Sequence, residues 1–235
     1  MKCFKYALFS VLLISTLCIA SDNNVLLHED FKDLSKWIPL TFPKIESHSL
    51  YTAESNGTIS YLKASSSNSA SALLYKETFN VYDYPKIKWT WKVDNVYKKA
   101  VISEKSGDDY PIRLYIMFQY DPSNSTFFEK IKYKTAKLIY GQYPPLAGLN
   151  YVWSSQETTM KYYASPYTDK AIMFPLEKGS KNIGKWITES VDLLEDYREV
   201  FKKEPPKNVS IAIMSDSDNT KESAISYITD IEIFK

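Results

Sequence analysis

The chain has 235 residues, 44% of them hydrophobic and 15% aromatic, with 29 basic side chains against 28 acidic ones. A chain of this length buries about 70–75% of its unfolded surface and holds a core without staples. The even charge argues against a nucleic-acid partner held by phosphate neutralisation, and the apolar and aromatic content excludes disorder.

The first segment reads as an address. Lys2 and Lys5 precede the uncharged run YALFSVLLISTLCI at 6–19, and Cys18-Ile19-Ala20 offers small residues before Ser21. The run is shorter than the roughly 20 residues that cross a bilayer. A basic start, a short apolar stretch and a small-residue site are the pattern of a cleaved signal peptide over residues 1–20, which implies a periplasmic or secreted protein. Both cysteines, Cys3 and Cys18, leave with it. The mature chain from 22 to 235 then has no disulfide, no Cys-ligated metal and no transmembrane segment.

A period of two dominates the rest of the chain. Weak strand signals cover 25–31, 49–54 and 59–64, the last two separated by the hairpin dipeptide Asn56-Gly57. Trp37 falls in the loop stretch DLSKW, and Ser65–Ser71 reads as a polar loop. A further weak strand covers 72–79. Residues 87–93 put Ile87, Trp89, Trp91 and Val93 on one face and Lys88, Thr90 and Lys92 on the other. Residues 112–120 put Ile112, Leu114, Ile116, Phe118 and Tyr120 inward and Arg113, Tyr115, Met117 and Gln119 outward. Weak strands come next at 149–153, 170–176 and 185–191. Residues 209–215 alternate Val209, Ile211 and Ile213 against Ser210, Ala212 and Met214. Residues 225–234 put Ile225, Tyr227, Thr229, Ile231 and Ile233 on one face.

Two short helices interrupt the strands. Thr126 and Glu129 have capping-box spacing before Ile131, Leu138 and Ile139, and Gly141 closes the turn. Asp192 and Glu195 cap a second helix carrying Leu193, Leu194, Tyr197 and Phe201, which Pro205-Pro206 stops. The fold expected is therefore all-β with two short helices: one antiparallel β-sandwich of jelly-roll or concanavalin-like type, with its last strand paired to its first.

Absences narrow the chemistry. Only His28 and His48 are present, so neither a His-based zinc site nor a located Ser-His-Asp triad is supported. No nucleotide-cradling glycine motif occurs. What remains is acidic and aromatic. Asp216, Asp218 and Asn219 directly follow a strand, and this density of oxygen ligands suits a hard cation such as Ca²⁺, with Asp216 and Asp218 as its candidate ligands. A hairpin turn with Asp and Asn bonding their own backbone is the competing reading. Asp108 and Asp109 directly precede a strand. Antiparallel neighbours bring the start of one strand beside the end of the next, so both acidic pairs belong at one rim. Among 29 basic residues only Arg113 and Arg198 are arginines. An outward Arg113 at that rim has Asp109, Asp216 or Asp218 as its natural partner. Tyr151, Trp153 and Tyr167 are candidate platforms for a sugar ring, though most rings in a chain this rich in tyrosine pack in the core.

The runs KSGDDYPIRLYIMF (105–118), GLNYVW (148–153), SPYT (165–168), GKW (184–186), EDY (195–197) and IAIMSDSDNTKESAISYITDI (211–231) resemble the bacterial family known as domain of unknown function 3047. The resemblance implies a secreted bacterial protein of one domain and no particular activity. It places Asp108, Asp109, Tyr110, Pro111, Arg113, Tyr151, Trp153, Asp216, Asp218, Asn219 and Thr220 on positions by which the family is recognised. Ile112 and Ser217 depart from the family's usual residues without touching an acidic position. The opening LLHEDFKDLSKW and closing YITDIEIF resemble the end strands of concanavalin-like sandwiches, a likeness of fold only.

Three functions fit these residues. The first is a module that binds a glycan or similar polar ligand at the acidic and aromatic rim. The second is a polysaccharide hydrolase or lyase that uses two of the four carboxylates. The third is an envelope protein in which Asp and Arg form an internal lock.

Overall fold

A computed structural model gives the fold and describes residues 24–125, 127, 130, 131, 133, 134 and 144–235. The signal-peptide expectation for 1–20 lies outside these residues. So does most of the first expected helix, of which Phe127, Lys130, Ile131, Tyr133 and Lys134 are helical. Among the described residues no helix is long and apolar enough to cross a membrane.

Strict alternation produces strands with one buried face, and two such faces close on each other. The strands are β1 (Val25–Glu29), β2 (Trp37–Leu40), β3 (Leu50–Ser55), β4 (Ser60–Ser67), β5 (Ala70–Tyr75), β6 (Phe79–Asn80), β7 (Lys86–Val93), β8 (Arg113–Phe118), β9 (Ala147–Ser154), β10 (Tyr163–Ser165), β11 (Thr168–Lys178), β12 (Ile187–Asp192), β13 (Asn208–Asp216) and β14 (Ser223–Phe234). The first sheet runs β12-β7-β14-β4-β3, with β1 also on β14. The second runs β10-β11-β9-β8-β13-β5-β2, with β6 also on β13. Every pairing is antiparallel except β9 with β11, which is parallel. The result is the two-layer sandwich expected, and β1 pairs with β14 as the end strands require.

The core lies between the layers. Ile87, Trp89, Trp91 and Val93 from β7 are fully buried against Ile112, Leu114, Ile116 and Phe118 from β8 and its approach and Val209, Ile211 and Ile213 from β13. One helix, α1 (Leu193–Phe201), links the layers between β12 and β13. The Asp192 carboxylate accepts from the Leu194 and Glu195 amides, and Lys202 ends the helix in a left-handed conformation. Tyr197 of α1 packs 4.4 Å from Phe118, ring centre to ring centre.

Four local readings are corrected. Trp37 opens β2 and is buried, its indole donating to Glu29, so the DLSKW stretch enters the second sheet. The serine tract is a corner: β4 of the first sheet turns through Asn68 (φ 47°) into β5 of the second. Ser66, Ser69 and Ser71 are buried there and hydrogen-bonded. The alternation in β14 breaks at Asp230 (φ 48°), where one extra residue bulges between the Thr229–Thr90 and Glu232–Lys88 pairs. A bulge shifts the phase by one. Ala224, Ser226 and Ile228 therefore face inward before it and Ile231 and Ile233 after it, while Ile225 lies 37% exposed. Finally, the outward face of β8 is covered: Arg113 and Met117 are both buried.

The edge strand β12 carries Ile187 and Val191 against the core. Glu189 shares their phase, paired opposite Trp89. An inward carboxylate on an edge strand discourages pairing with another chain. Burial, with Glu177 adding repulsion, pushes Glu189 up to about 7. The folded protein therefore resists the ionisation that the unfolded chain accepts near its ordinary value. This stabilises the fold at low pH, and the contribution is lost as pH rises through about 7. The wild-type melting temperature is expected to fall between pH 5 and pH 8 by more than that of Glu189→Gln, measured by differential scanning calorimetry. Equal falls would refute the assignment.

Candidate functional site

The register of β8 on β13 sets the site. Met214 pairs with Arg113, so Asp108 and Asp109, just before β8, sit beside Asp216 and Asp218 at the end of β13. The acidic pairs do share one rim, as the antiparallel argument requires.

Each carboxylate has a different job there. The Asp216 side chain pairs with the Arg113 guanidinium, and both are buried. Its other oxygen accepts weakly from the Tyr110 amide at 3.4 Å. Asp109 accepts from the amides of Asn219 (3.2 Å) and Thr220 (2.6 Å) and so caps the turn after β13. Glu222 acts in the opposite direction: its carboxylate accepts from the amides of Lys98 (3.0 Å) and Lys99 (2.8 Å). The 94–111 loop and the 217–222 turn therefore pin each other.

Asp108 and Asp218 are not engaged in this way. Asp108 is buried, and its Oδ1 has no hydrogen-bond partner among the described residues, nor has the Arg113 Nε. Burial raises Asp108 above the usual carboxylate range, against the pull of Arg113. Burial raises Asp216 as well, with Arg113 opposing. Asp218 is raised by burial and then by Asp109. One guanidinium thus stands against four carboxylates. Oxygens of Asp109, Asp216 and Asp218 lie within 4.8 Å of one another. That spacing adds Asp109 to the cation ligands expected from sequence, although Asp109 and Asp216 are already engaged with amides and with Arg113.

Above this cluster opens a cavity of about 600 Å³, into which Lys44, Asp108, Arg113, Asp216, Asp218 and Asn219 contribute the polar lining. Phe42, Pro43 and Ile45 form its apolar wall. They belong to the 41–49 connection from β2 to β3, which no strand or helix pattern singles out. A Pro-containing loop carrying Phe and Ile is the only trace it leaves in the sequence. Tyr167, 54% exposed in the β10–β11 turn, closes the other side. The Asn219 side-chain Nδ2 donates to the Tyr167 hydroxyl (3.2 Å), which donates to the Lys105 carbonyl (3.2 Å).

Tyr151 and Trp153 are placed elsewhere. Both are fully buried between the sheets, with the Tyr151 hydroxyl donating to Asp196 (2.9 Å) and the Trp153 indole to the Gly179 carbonyl (3.3 Å). β9 has a parallel neighbour on one side and is buried on both faces, so its rings fill the core. His28 meets Asp230 at 3.4 Å on the surface, and His48 is exposed; neither lines the cavity.

Beneath the rim, the Lys105–Gly107 turn brings Gly107 against Val101. A β-carbon at 107 would lie 2.3 Å from the Val101 nitrogen, a clash with backbone that no rotamer relieves.

Comparison with known proteins gives the family. The profile described as protein of unknown function (DUF3047) matches residues 35–232; the chain belongs to that family. No curated protein matches. Among solved structures, the family 11 carbohydrate-binding module from Clostridium thermocellum, in complex with a β-1,3-1,4-mixed-linked tetrasaccharide, is 11% identical with a TM-score of 0.43, over 90% of this chain and 94% of that one. A family 30 carbohydrate-binding module of a Clostridium thermocellum cellulosomal cellulase is 11% identical with a TM-score of 0.43, over 89% and 98%. Endoglucanase 3 of Trichoderma harzianum, from family GH12, is 6% identical with a TM-score of 0.38, over 87% and 99%. Likenesses this loose carry nothing about the site.

Two substitutions separate the carboxylates. Asp216→Asn strands a buried guanidinium and is expected to cost about 3–5 kcal/mol in urea unfolding. Asp218→Asn removes a charge that the fold holds unwillingly and should leave stability level or slightly higher. Gly107→Ala is expected to cost about 1–3 kcal/mol by the same measurement. A harmless Asp216→Asn would show that the pair is not a lock.

Proposed function

We propose that this member of the DUF3047 family is a binding module, exported by its leader to the periplasm or the medium, that takes a glycan or similar hydroxyl-rich polar ligand at the acidic rim. One observation carries the reading: a cavity of about 600 Å³ with an apolar wall opens over Asp108, whose buried Oδ1 has no partner among the described residues. Binding pockets are largely apolar with a few convergent polar groups. Ionised carboxylates accept hydrogen bonds and donate none, so Asp108 and Asp218 suit hydroxyl donors and repel anions. The half-exposed Tyr167 ring offers an apolar face to a sugar ring. The ligand set of Asp109, Asp216 and Asp218 would let Ca²⁺ join the hydroxyls.

The lock is a second reading, favoured by the Arg113–Asp216 pair and the Asp109 cap. It accounts for two carboxylates and leaves Asp108 and Asp218 unexplained. A hydrolytic role would fall on those same two alone.

The test is a glycan array followed by isothermal titration calorimetry, with and without Ca²⁺. Asp218→Ala and Tyr167→Ala are each expected to weaken binding by about tenfold, roughly 1.4 kcal/mol. Binding abolished by a chelator would place a cation in the site. A blank array in both conditions, with a folded protein, would overturn the proposal.

A further inference from the structure

The rim cavity does not end at the rim. A second cavity of about 410 Å³ shares Phe42, Asp108, Arg113, Tyr167 and Met214 with it and runs along the outer face of the second sheet. Its floor is built from side chains that alternation sends away from the core: Ala72 on β5, Ala212 on β13, Met117 on β8, and Ala171 and Met173 on β11. A solvent-facing sheet surface is ordinarily polar. Here β5, β13, β8 and β11 present alanine and methionine instead, with Tyr115 of β8, Asn150 of β9, Ser165 of β10 and Thr168 of β11 as the polar side chains among them. Ala72, Ala212 and Met117 form a small apolar cluster of their own, with Leu40 and Phe42 packed against it.

The residue sizes explain the shape. Alanines on β5, β13 and β11 lower the floor, while Phe42 on one side and Tyr167 on the other stand as walls. Methionine is unbranched and adapts to irregular apolar shapes. At one end stand Asp108 and Arg113, whose Oδ1 and Nε have no hydrogen-bond partner among the described residues. The trough is therefore mainly apolar along its length and charged at one end.

We propose that the ligand is an amphiphile: a hydroxyl-bearing, uncharged head at the acidic rim, continued by an aliphatic chain lying in the alanine–methionine trough. This rests on the rim reading and deepens it. Charge complementarity commits the proposal to that occupant. Asp108, Asp216 and Asp218 outnumber Arg113 and Lys44 at that end, which disfavours a fatty-acid carboxylate and accepts hydroxyl donors. The alanine and methionine floor suits an aliphatic chain, with Tyr115, Asn150, Ser165 and Thr168 as the hydrogen-bonding side chains beside it.

The experiment compares methyl, hexyl and octyl β-glucoside, each below its micelle-forming concentration, by titration calorimetry on the protein produced from its full-length chain. Each buried methylene is expected to raise affinity about threefold to fourfold, so burying about three of the seven that octyl adds should make it exceed methyl by at least about thirtyfold. Ala212→Phe fills the trough and should abolish the dependence on chain length; Ala72→Phe reads the same if the first variant does not fold. Equal affinity for all three glycosides would overturn the trough while leaving the rim reading intact. The same rise in wild type and in a folded trough-filled variant would also overturn it. No binding by any of the three, with a blank array, would remove both proposals.

Discussion

The rim exists because a guanidinium and a carboxylate are held together out of water. Arg113 begins β8 and Asp216 ends β13, and the register that pairs Met214 with Arg113 leaves them no other place. A buried ion pair is weak evidence for stability, because desolvation consumes most of the Coulombic gain. Its value is positional: a register slip of one residue would send both charges to the other face, into the core. The pair thereby fixes where the 105–111 segment stops and where the 217–222 turn starts. The two carboxylate caps, Asp109 on one segment and Glu222 on the other, then hold the loops to each other.

The serine corner belongs to the same construction. Ser49 donates to the Ser215 carbonyl (2.7 Å), Ser71 donates to the Ser49 carbonyl (2.9 Å), and the Ser217 amide donates to the Ser69 carbonyl (2.8 Å). Small hydroxylated side chains let the backbone cross from sheet to sheet at close quarters while its polar groups stay paired. These bonds reach the chain on both sides of Asp216, so the base of the cavity is tied to the corner. A site on such a base is preorganised, and ordering it on binding costs little.

Period-two patterning makes the sandwich legible because core burial is the strongest local constraint. Trp89 and Trp91 have to face one way and Lys88 and Lys92 the other, and they do. Strand direction alone then brings Asp108 and Asp109 beside Asp216 and Asp218. The departures share a cause: alternation speaks only of strands with one buried face. Tyr151 and Trp153 look available because their strand shows no alternation, and a strand buried on both faces shows none. Met117 and Ala212 look wet because nothing local says that Leu40 and Phe42 pack against them. The Asp230 bulge leaves only a trace, Ile228 out of phase with Ile231, and a single positive φ is invisible in a residue pattern. Serine-rich composition favours loops on average, and a sheet corner defeats the average.

The division among the four carboxylates has a thermodynamic consequence. Asp109 and Asp216 are bound into the fold, whereas Asp108 and Asp218 add negative charge that the fold disfavours. Burial lifts Asp108, Asp216 and Asp218 above their ordinary range. A raised carboxylate stabilises the fold where it is protonated and ceases to do so as pH rises past its folded value. Wherever these carboxylates are ionised, the rim by itself therefore stores unfavourable charge. Whatever supplies hydrogen-bond donors or positive charge there relieves it: a proton, a cation or a hydroxyl-bearing head. A proton competes with either of the other two for this electrostatic deficit, and by linkage it weakens their hold. An apolar chain beyond the Asp108 and Arg113 end of the trough touches no carboxylate or imidazole that titrates near neutrality, and burial raises Tyr115 beyond its already high ordinary value. Its contribution to affinity is then independent of pH in that range. Head and chain of one ligand would thus differ in their pH dependence, a separation that follows from placing the charge at one end of an otherwise apolar channel.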